Sequence, residues 1–235
     1  MKTRTLLNIA KILIASFAGI GAAPVHASMD RQCQQQLEPP SLSVQVVRKN
    51  VPVAYVPSAS LQNVRSDHMA DLRSKGYREG KTHGLVRAQP TAGILSTGGI
   101  LQFGDGQACA QPGFEVTLDM RQFEMQLARA LLEYTCEHDA VVEHETLHVH
   151  AHYRAMDEAA ATLRNRWNQH WAKRPLIKGT YSQVRAQIEA IQKEIVDFAL
   201  SEVSSRSDRY NKAIDSLEEY ARLGRMCNGG LTRIP

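Results

Sequence analysis

Five of the nine histidines of this 235-residue chain lie between His138 and His152, and among them His144-Glu145-Thr146-Leu147-His148 sets two imidazoles four residues apart. On a helix, positions i and i+4 lie one turn apart on one face, so both rings can converge on a single Zn²⁺. Glu145, about 100° round the helix from His144, can reach water beside that ion. Zinc activates water and polarises a carbonyl, while the glutamate takes and returns the proton. The spacing therefore predicts His144 and His148 as metal ligands and Glu145 as a general base. Nine His and 14 Glu in a chain of this length yield such a pattern by chance roughly 0.02 times, a risk that local histidine enrichment raises several-fold. The competing reading is a solvated, His-rich helix face that holds no metal.

The elements that must position these residues are of two kinds. From 41 to 127 the apolar residues alternate: Leu42, Val44, Val46; then Val51, Val53, Tyr55; then Val116, Leu118, Met120. Phe123, Met125 and Leu127 continue the last series shifted by one, which predicts a bulge or tight bend. Gln89 to Gly93, Gly104 to Gly106 and Gln111 to Gly113 read as turns, and 66–75 as one helix within this half. From about Glu137 the period becomes helical. Val142, Val149, Tyr153, Met156, Ala160, Leu163 and Trp167 form one stripe ending before Pro175. A second stripe runs through Val184, Ile188, Ile191, Ile195 and Phe198, breaks across Ser204 to Asp208, and resumes with Tyr210, Ile214, Leu217 and Ala221 before Asn228-Gly229-Gly230. The expected fold class is α+β: a small, mostly antiparallel sheet over 28–130, then a motif helix and a long helical hairpin over 137–226, in one domain spanning 28–235. His144 and His148 are about 40° apart and turned from the Val142, Val149, Met156 stripe, toward a cleft or solvent. Trp167 and Trp171 read as packing residues. His83 and Asp105 lie in turn-rich segments that could line a cleft, and Tyr153 and Tyr210 carry no specific signal.

Residues 137–152 and this order of elements resemble the zincins, the H-E-x-x-H metallopeptidases; the resemblance covers about a third of the chain. It is also similar to small exported bacterial proteins of unassigned function with a cysteine shortly before the motif, here Cys136. The longer metzincin motif is excluded, because its Gly and His positions are Ala151 and Arg154. The resemblance implies a zinc site of gluzincin type, with the third ligand on a following helix. Glu202 is then the candidate, since it continues the Ile188–Phe198 seam at the next i+4 position, where a carboxylate needs a partner. A hairpin turning near Ile177 would set Glu202 opposite residue 152; the alternative is a seam end in solvent. His150 points elsewhere, and His152 lies about 12 Å along the axis from His144. Glu189 and Glu194 fall beside the seam.

Composition restricts the alternatives. Lys2 and Arg4, then an apolar run from Ala10 to Ile20 interrupted by Lys11, and then Val25-His26-Ala27, read as a signal peptide over 1–27. Without those three cations the formal charge of +4 falls to about +1, which argues against a nucleic-acid partner. No later window is apolar enough to span a bilayer. A periplasmic or secreted location makes disulfides of Cys33, Cys109, Cys136 and Cys227 the expectation. Of three possible pairings, Cys109 with Cys136 and Cys33 with Cys227 is favoured. The sequence thus predicts an exported zinc-dependent hydrolase acting on a peptide or protein, with Glu115 to Leu127 offering a strand edge to the substrate. The alternatives are a non-catalytic metal-binding or envelope-assembly protein, and a helical adaptor without metal.

Overall fold

The computed structural model describes residues 25–62, 82–174 and 176–234. The 66–75 helix and most of the 1–27 leader lie outside the described residues. The chain runs α1 (Val25–Gln36), β1 (Ser41–Val46), β2 (Val53–Val56), α2 (Ser58–Gln62), β3 (Gly84–Ser96), β4 (Ile100–Gln102), β5 (Gln107–Ala110) and β6 (Gly113–Ala128). Helix α3 (Thr135–Arg166), β7 (Ile177–Thr180), α4 (Tyr181–Ile214) and α5 (Leu217–Arg225) complete it, before a final helical segment at Met226–Arg233. This is the α+β class.

The strand from Gly113 to Ala128 is the axis of the larger sheet. Its alternate residues Phe114, Val116, Leu118 and Met120 are buried, and Phe123, Met125 and Leu127 are buried in the shifted phase. The shift is a bulge. Arg87 faces Glu124 while Gln89 faces Arg121, so β6 spends three steps on two of β3, and Gln122 takes a positive φ of 48° to absorb the extra residue. The sheet is mixed rather than mostly antiparallel: β3 runs antiparallel to β6, but β1 and β2 lie parallel to it, one after the other. A smaller antiparallel sheet joins β4, β5 and β7. Gln89 to Gly93 is strand, not turn. Among the described residues β3 pairs with β6 alone, so Pro90 lies on an edge strand of that sheet, where its missing N–H is tolerated. β6 has β3 along one side and, on the other, β1 and β2 at its two ends, so both ends of the expected free edge over Glu115 to Leu127 are covered and, among the described residues, only 119–124 lies without a strand partner on that side.

The helical hairpin packs on this sheet through Val149, Met156, Leu163 and Trp167, with Phe114 edge-on to Trp167 at 5.9 Å. Trp167 and Trp171 are buried, in a single π turn that ends the helix. β7 then occupies the connection, and Thr180 caps α4: its Oγ1 accepts from Gln183 N, and Gln183 Oε1 accepts from Thr180 N at 2.9 Å. The expected break at Ser204 to Asp208 is absent. Ser204, Ser205 and Asp208 face solvent, while Ser207 continues the buried seam after Val203. The helix ends instead at Asp215.

All four cysteines are bonded, as Cys33–Cys109 and Cys136–Cys227. The favoured pairing is therefore corrected, for a topological reason. In an antiparallel hairpin the end of α4 returns to the start of α3, which carries the chain's last segment, with Cys227, to Cys136. β5 meanwhile lies beside β7, whose Lys178 is paired to Asp30 of α1, close to Cys33. Two disulfides fit an oxidising, extracellular-like environment. Among the described residues no helix is long and apolar enough to cross a membrane.

Candidate metal centre

Three histidines, at 144, 148 and 152, stack at i, i+4 and i+8 on the face of α3 that meets α4. Each step of four on α3 is answered by a step of four on the antiparallel partner. His152 Nδ1 lies 3.2 Å from Ser207 Oγ, and His148 Nδ1 lies 3.0 Å from Asn211 Oδ1. His144 meets Asp215, the residue just past the end of α4, at 3.4 Å. The face opposite the sheet is thus buried as well, and His144 and His148 are only 5% and 8% exposed. They face the end of α4 and the start of α5, not solvent.

The donor atoms form a triangle. His144 Nε2 and His148 Nε2 are 3.3 Å apart, and Asp215 Oδ1 is 3.4 Å from the first and 3.2 Å from the second. A tetrahedral zinc ion with bonds of about 2.0–2.1 Å needs its ligand atoms about 3.3–3.4 Å apart, so the residues present fit zinc. The outer contacts fit too. His144 Nδ1 is held 3.2 Å from Glu219 Oε1, and His148 Nδ1 faces the Asn211 carbonyl oxygen; each leaves Nε2 with its lone pair toward the centre. Arg222 grips Glu219 with Nε and Nη2 at 2.8 and 2.7 Å and holds its carboxyl below the ordinary range. The Tyr220 hydroxyl donates to Asp215 Oδ1 at 3.0 Å.

Electrostatics couple the two imidazoles to the Asp215 carboxylate. Burial alone would lower His148, but Asp215 overrides it and lifts the imidazole to about 9. Burial opposes the charge on His144 too, and the carboxylates of Asp215 and Glu145 again raise it. Burial would raise Asp215; hydrogen bonds from both histidines instead hold it well below the usual carboxylate range. Glu145 is 5% exposed, and burial pushes it up to about 7 despite the two histidines beside it. It is pressed against the start of β3: a Cβ on Gly84 would stand 2.5 Å from Glu145 Oε1. His152, with no carboxylate partner among the described residues and Phe123 edge-on at 5.8 Å, is lowered to about 4, chiefly by burial and then by His148.

The structure thus brings together His144, Glu145 and His148 but not Glu202. Glu202 Oε2 accepts from Arg206 at 2.6 Å, and Arg206 also reaches Glu158 at 3.0 Å, farther toward the turn of the hairpin. The cause is register: residue 207, not 202, lies opposite 152, because β7 displaces the turn to about Thr180. His150 is exposed. Tyr153 donates to Lys49 O, Tyr210 donates to Glu158, and Asp105 caps its own turn at Gln107 N. His83 is buried against Leu231 O at 3.1 Å. Asp215, Glu219, Asn211 and Tyr220 were not foreseen. One signal pointed to them: Ser216-Leu217-Glu218-Glu219 has the spacing of a capping box, which marks a helix start and therefore a break at Asp215. Ser216 does cap α5, accepting from Glu219 N at 3.1 Å, while the Glu219 side chain turns to His144.

Comparison with protein-family models, with curated proteins and with solved structures returned no match. The functional reading therefore rests on this geometry.

Proposed function

We propose that the protein is an exported, zinc-dependent hydrolase acting on peptide bonds, with His144, His148 and Asp215 holding the ion and Glu145 as general base. The observation that carries this reading is the triangle of three donor atoms at tetrahedral spacing with a buried carboxylate one residue along the same helix. Zinc, when bound, supplies Lewis acidity for activating water and polarising a carbonyl oxygen.

The remaining chemistry belongs to the chain. Glu145, poised near neutrality, takes a proton from the attacking water and delivers it to the departing amine. Gly84, having no side chain, lets the carboxyl group occupy that position. Glu219 and Asn211 hold the imidazoles in the tautomer that directs Nε2 inward, and Tyr220 fixes the rotamer of Asp215. A periplasmic or secreted location agrees with the two disulfides.

The near closure of the site favours one other reading, a non-catalytic zinc-holding protein, since the histidines and Glu145 expose almost nothing. Two measurements separate the possibilities. Bound-metal stoichiometry on the oxidised protein, beside His148→Ala, should give one zinc per chain that the substitution removes; no zinc in either would sink both readings. A peptide-library digest should then show cleavage that Glu145→Gln abolishes while zinc stays bound. Zinc without cleavage would leave the holding role.

A further inference from the structure

The two disulfides differ in their surroundings. Cys33 and Cys109 are fully buried in the protein, whereas Cys136 is exposed on the first turn of α3 and Cys227 is half-buried in the final segment. The exposed bond is also the one tied to the metal centre. Cys136 lies two helical turns before His144. Cys227 closes the stretch that begins at Asp215 and carries Glu219 and Tyr220. One short segment thus supplies the carboxylate ligand and the groups that orient His144 and Asp215, and one covalent bond fastens it to the helix that carries the histidines.

We propose that Cys136–Cys227 is a thiol–disulfide exchange site for an external dithiol, and that opening it loosens the metal centre. The proposal rests on the zinc reading above. A thiolate of the dithiol attacks Sγ of the exposed residue Cys136, and the Sγ–Sγ bond breaks with Cys227 leaving as thiolate and taking up a proton. The dithiol's second thiolate then attacks the mixed disulfide and releases Cys136. Two electrons pass to the protein, which gains two thiols, and the dithiol becomes a disulfide. The segment from Asp215 to Ile234 then has no covalent crosslink and is held by non-covalent contacts, among them Leu223, Leu231 and Ile234 in the core, Leu231 O on His83, Glu219 on His144, and Arg222 beside Glu143 at 3.7 Å. Outer-sphere groups that orient metal ligands change affinity by roughly 10- to 100-fold, and α5 carries two of them. Cys33–Cys109, with no exposed sulfur, is the internal control.

The test exposes the oxidised protein to a dithiol for increasing times, traps thiols with iodoacetamide and maps them by peptide mass. Cys136 and Cys227 should be alkylated first, with Cys33–Cys109 intact. That species is isolated and its Zn²⁺ affinity measured by chelator competition; alkylation also stops Cys136 and Cys227, which with Glu137 could themselves gather a metal, from binding it. Affinity should be roughly 10- to 100-fold below that of the untreated protein, and hydrogen exchange should quicken over 217–233 but not over 184–203. Equal opening of both disulfides, unchanged zinc affinity, or exchange that quickens throughout the hairpin would each overturn the proposal. Absence of zinc from the untreated protein would instead overturn the zinc reading itself, whichever disulfide opens first.

Discussion

Asp215→Asn tests the centre most directly, because it keeps the shape of the proposed third ligand and removes its charge. Opposite unit charges 3.2 Å apart, the distance between Asp215 Oδ1 and His148 Nε2, attract by about 5 kcal/mol at an effective dielectric constant of about 20. In the metal-free protein His148 is lifted from 6.5 to about 9, a net gain of about 3 kcal/mol after burial of the imidazolium has opposed the pull of Asp215, Glu145 and Asn211. The folded-state pKa is the higher one. Its stabilisation is therefore complete below pH 6.5 and is lost as pH rises through about 9. With asparagine the pull of Asp215 is gone, Glu145 and Asn211 alone oppose the burial penalty, and His148 falls from its raised value. Denaturant melts of the metal-free proteins should show the variant about 3 kcal/mol less stable at pH 6, with the gap closing toward pH 9. Zinc should suffer more than the metal-free fold. Removing the charged partner of a buried ion costs about 3–5 kcal/mol, which weakens binding roughly 150- to 5000-fold. Chelator competition at pH 7 reads this directly. A variant that keeps zinc within about threefold of wild type would refute Asp215 as a ligand and the triangle as a metal site.

Three further outcomes follow from the same geometry. Glu145→Gln should keep zinc and lose hydrolysis. Because burial raises Glu145 from 4.5 to about 7, its charge costs stability increasingly as pH climbs through that interval, and the metal-free variant should be about 3 kcal/mol more stable than wild type at pH 8 but equal to it below pH 4.5; equal melts at pH 8 would contradict the buried charge. Gly84→Ala should bind zinc normally yet cut turnover at least about tenfold and cost about 1–3 kcal/mol, since its Cβ would stand 2.5 Å from Glu145 Oε1; wild-type turnover would show that Glu145 does not depend on this contact. Glu202→Ala should leave zinc affinity unchanged and cost no more than about 1 kcal/mol, as expected for a part-exposed pair with Arg206; loss of zinc would restore Glu202 as a ligand.

The local parts of this protein are legible in its sequence. Period-two alternation marks the strands, and even the bulge at Gln122 is visible as a change of phase between Met120 and Phe123, because a strand must bury alternate residues wherever its partner sits. The H-E-x-x-H spacing likewise places two imidazoles on one helical face without reference to the rest of the chain. Other features depended on neighbours. The Pro90 region reads as a turn by residue preference and is a strand because β6 pairs with it on one side while, among the described residues, no strand needs its N–H on the other. Ser204 to Asp208 reads as a break and stays helical because the polar residues lie on the solvent face, with Ser207 answering His152.

The carboxylate that meets the two histidines and the disulfide pairing were decided by tertiary structure alone, and for one reason. Both depend on which residue of the returning helix lies opposite a given residue of α3, and that register is set by where the hairpin turns. Four residues of β7 recruited into the small sheet move the turn, exchange Glu202 for Asp215 at the centre, and bring Cys227 to Cys136. A helical period of 3.6 specifies which residues share a face, but not how far one helix slides along another. The capping pattern at Ser216 shows where the second helix stops; only the packed hairpin shows what that end meets.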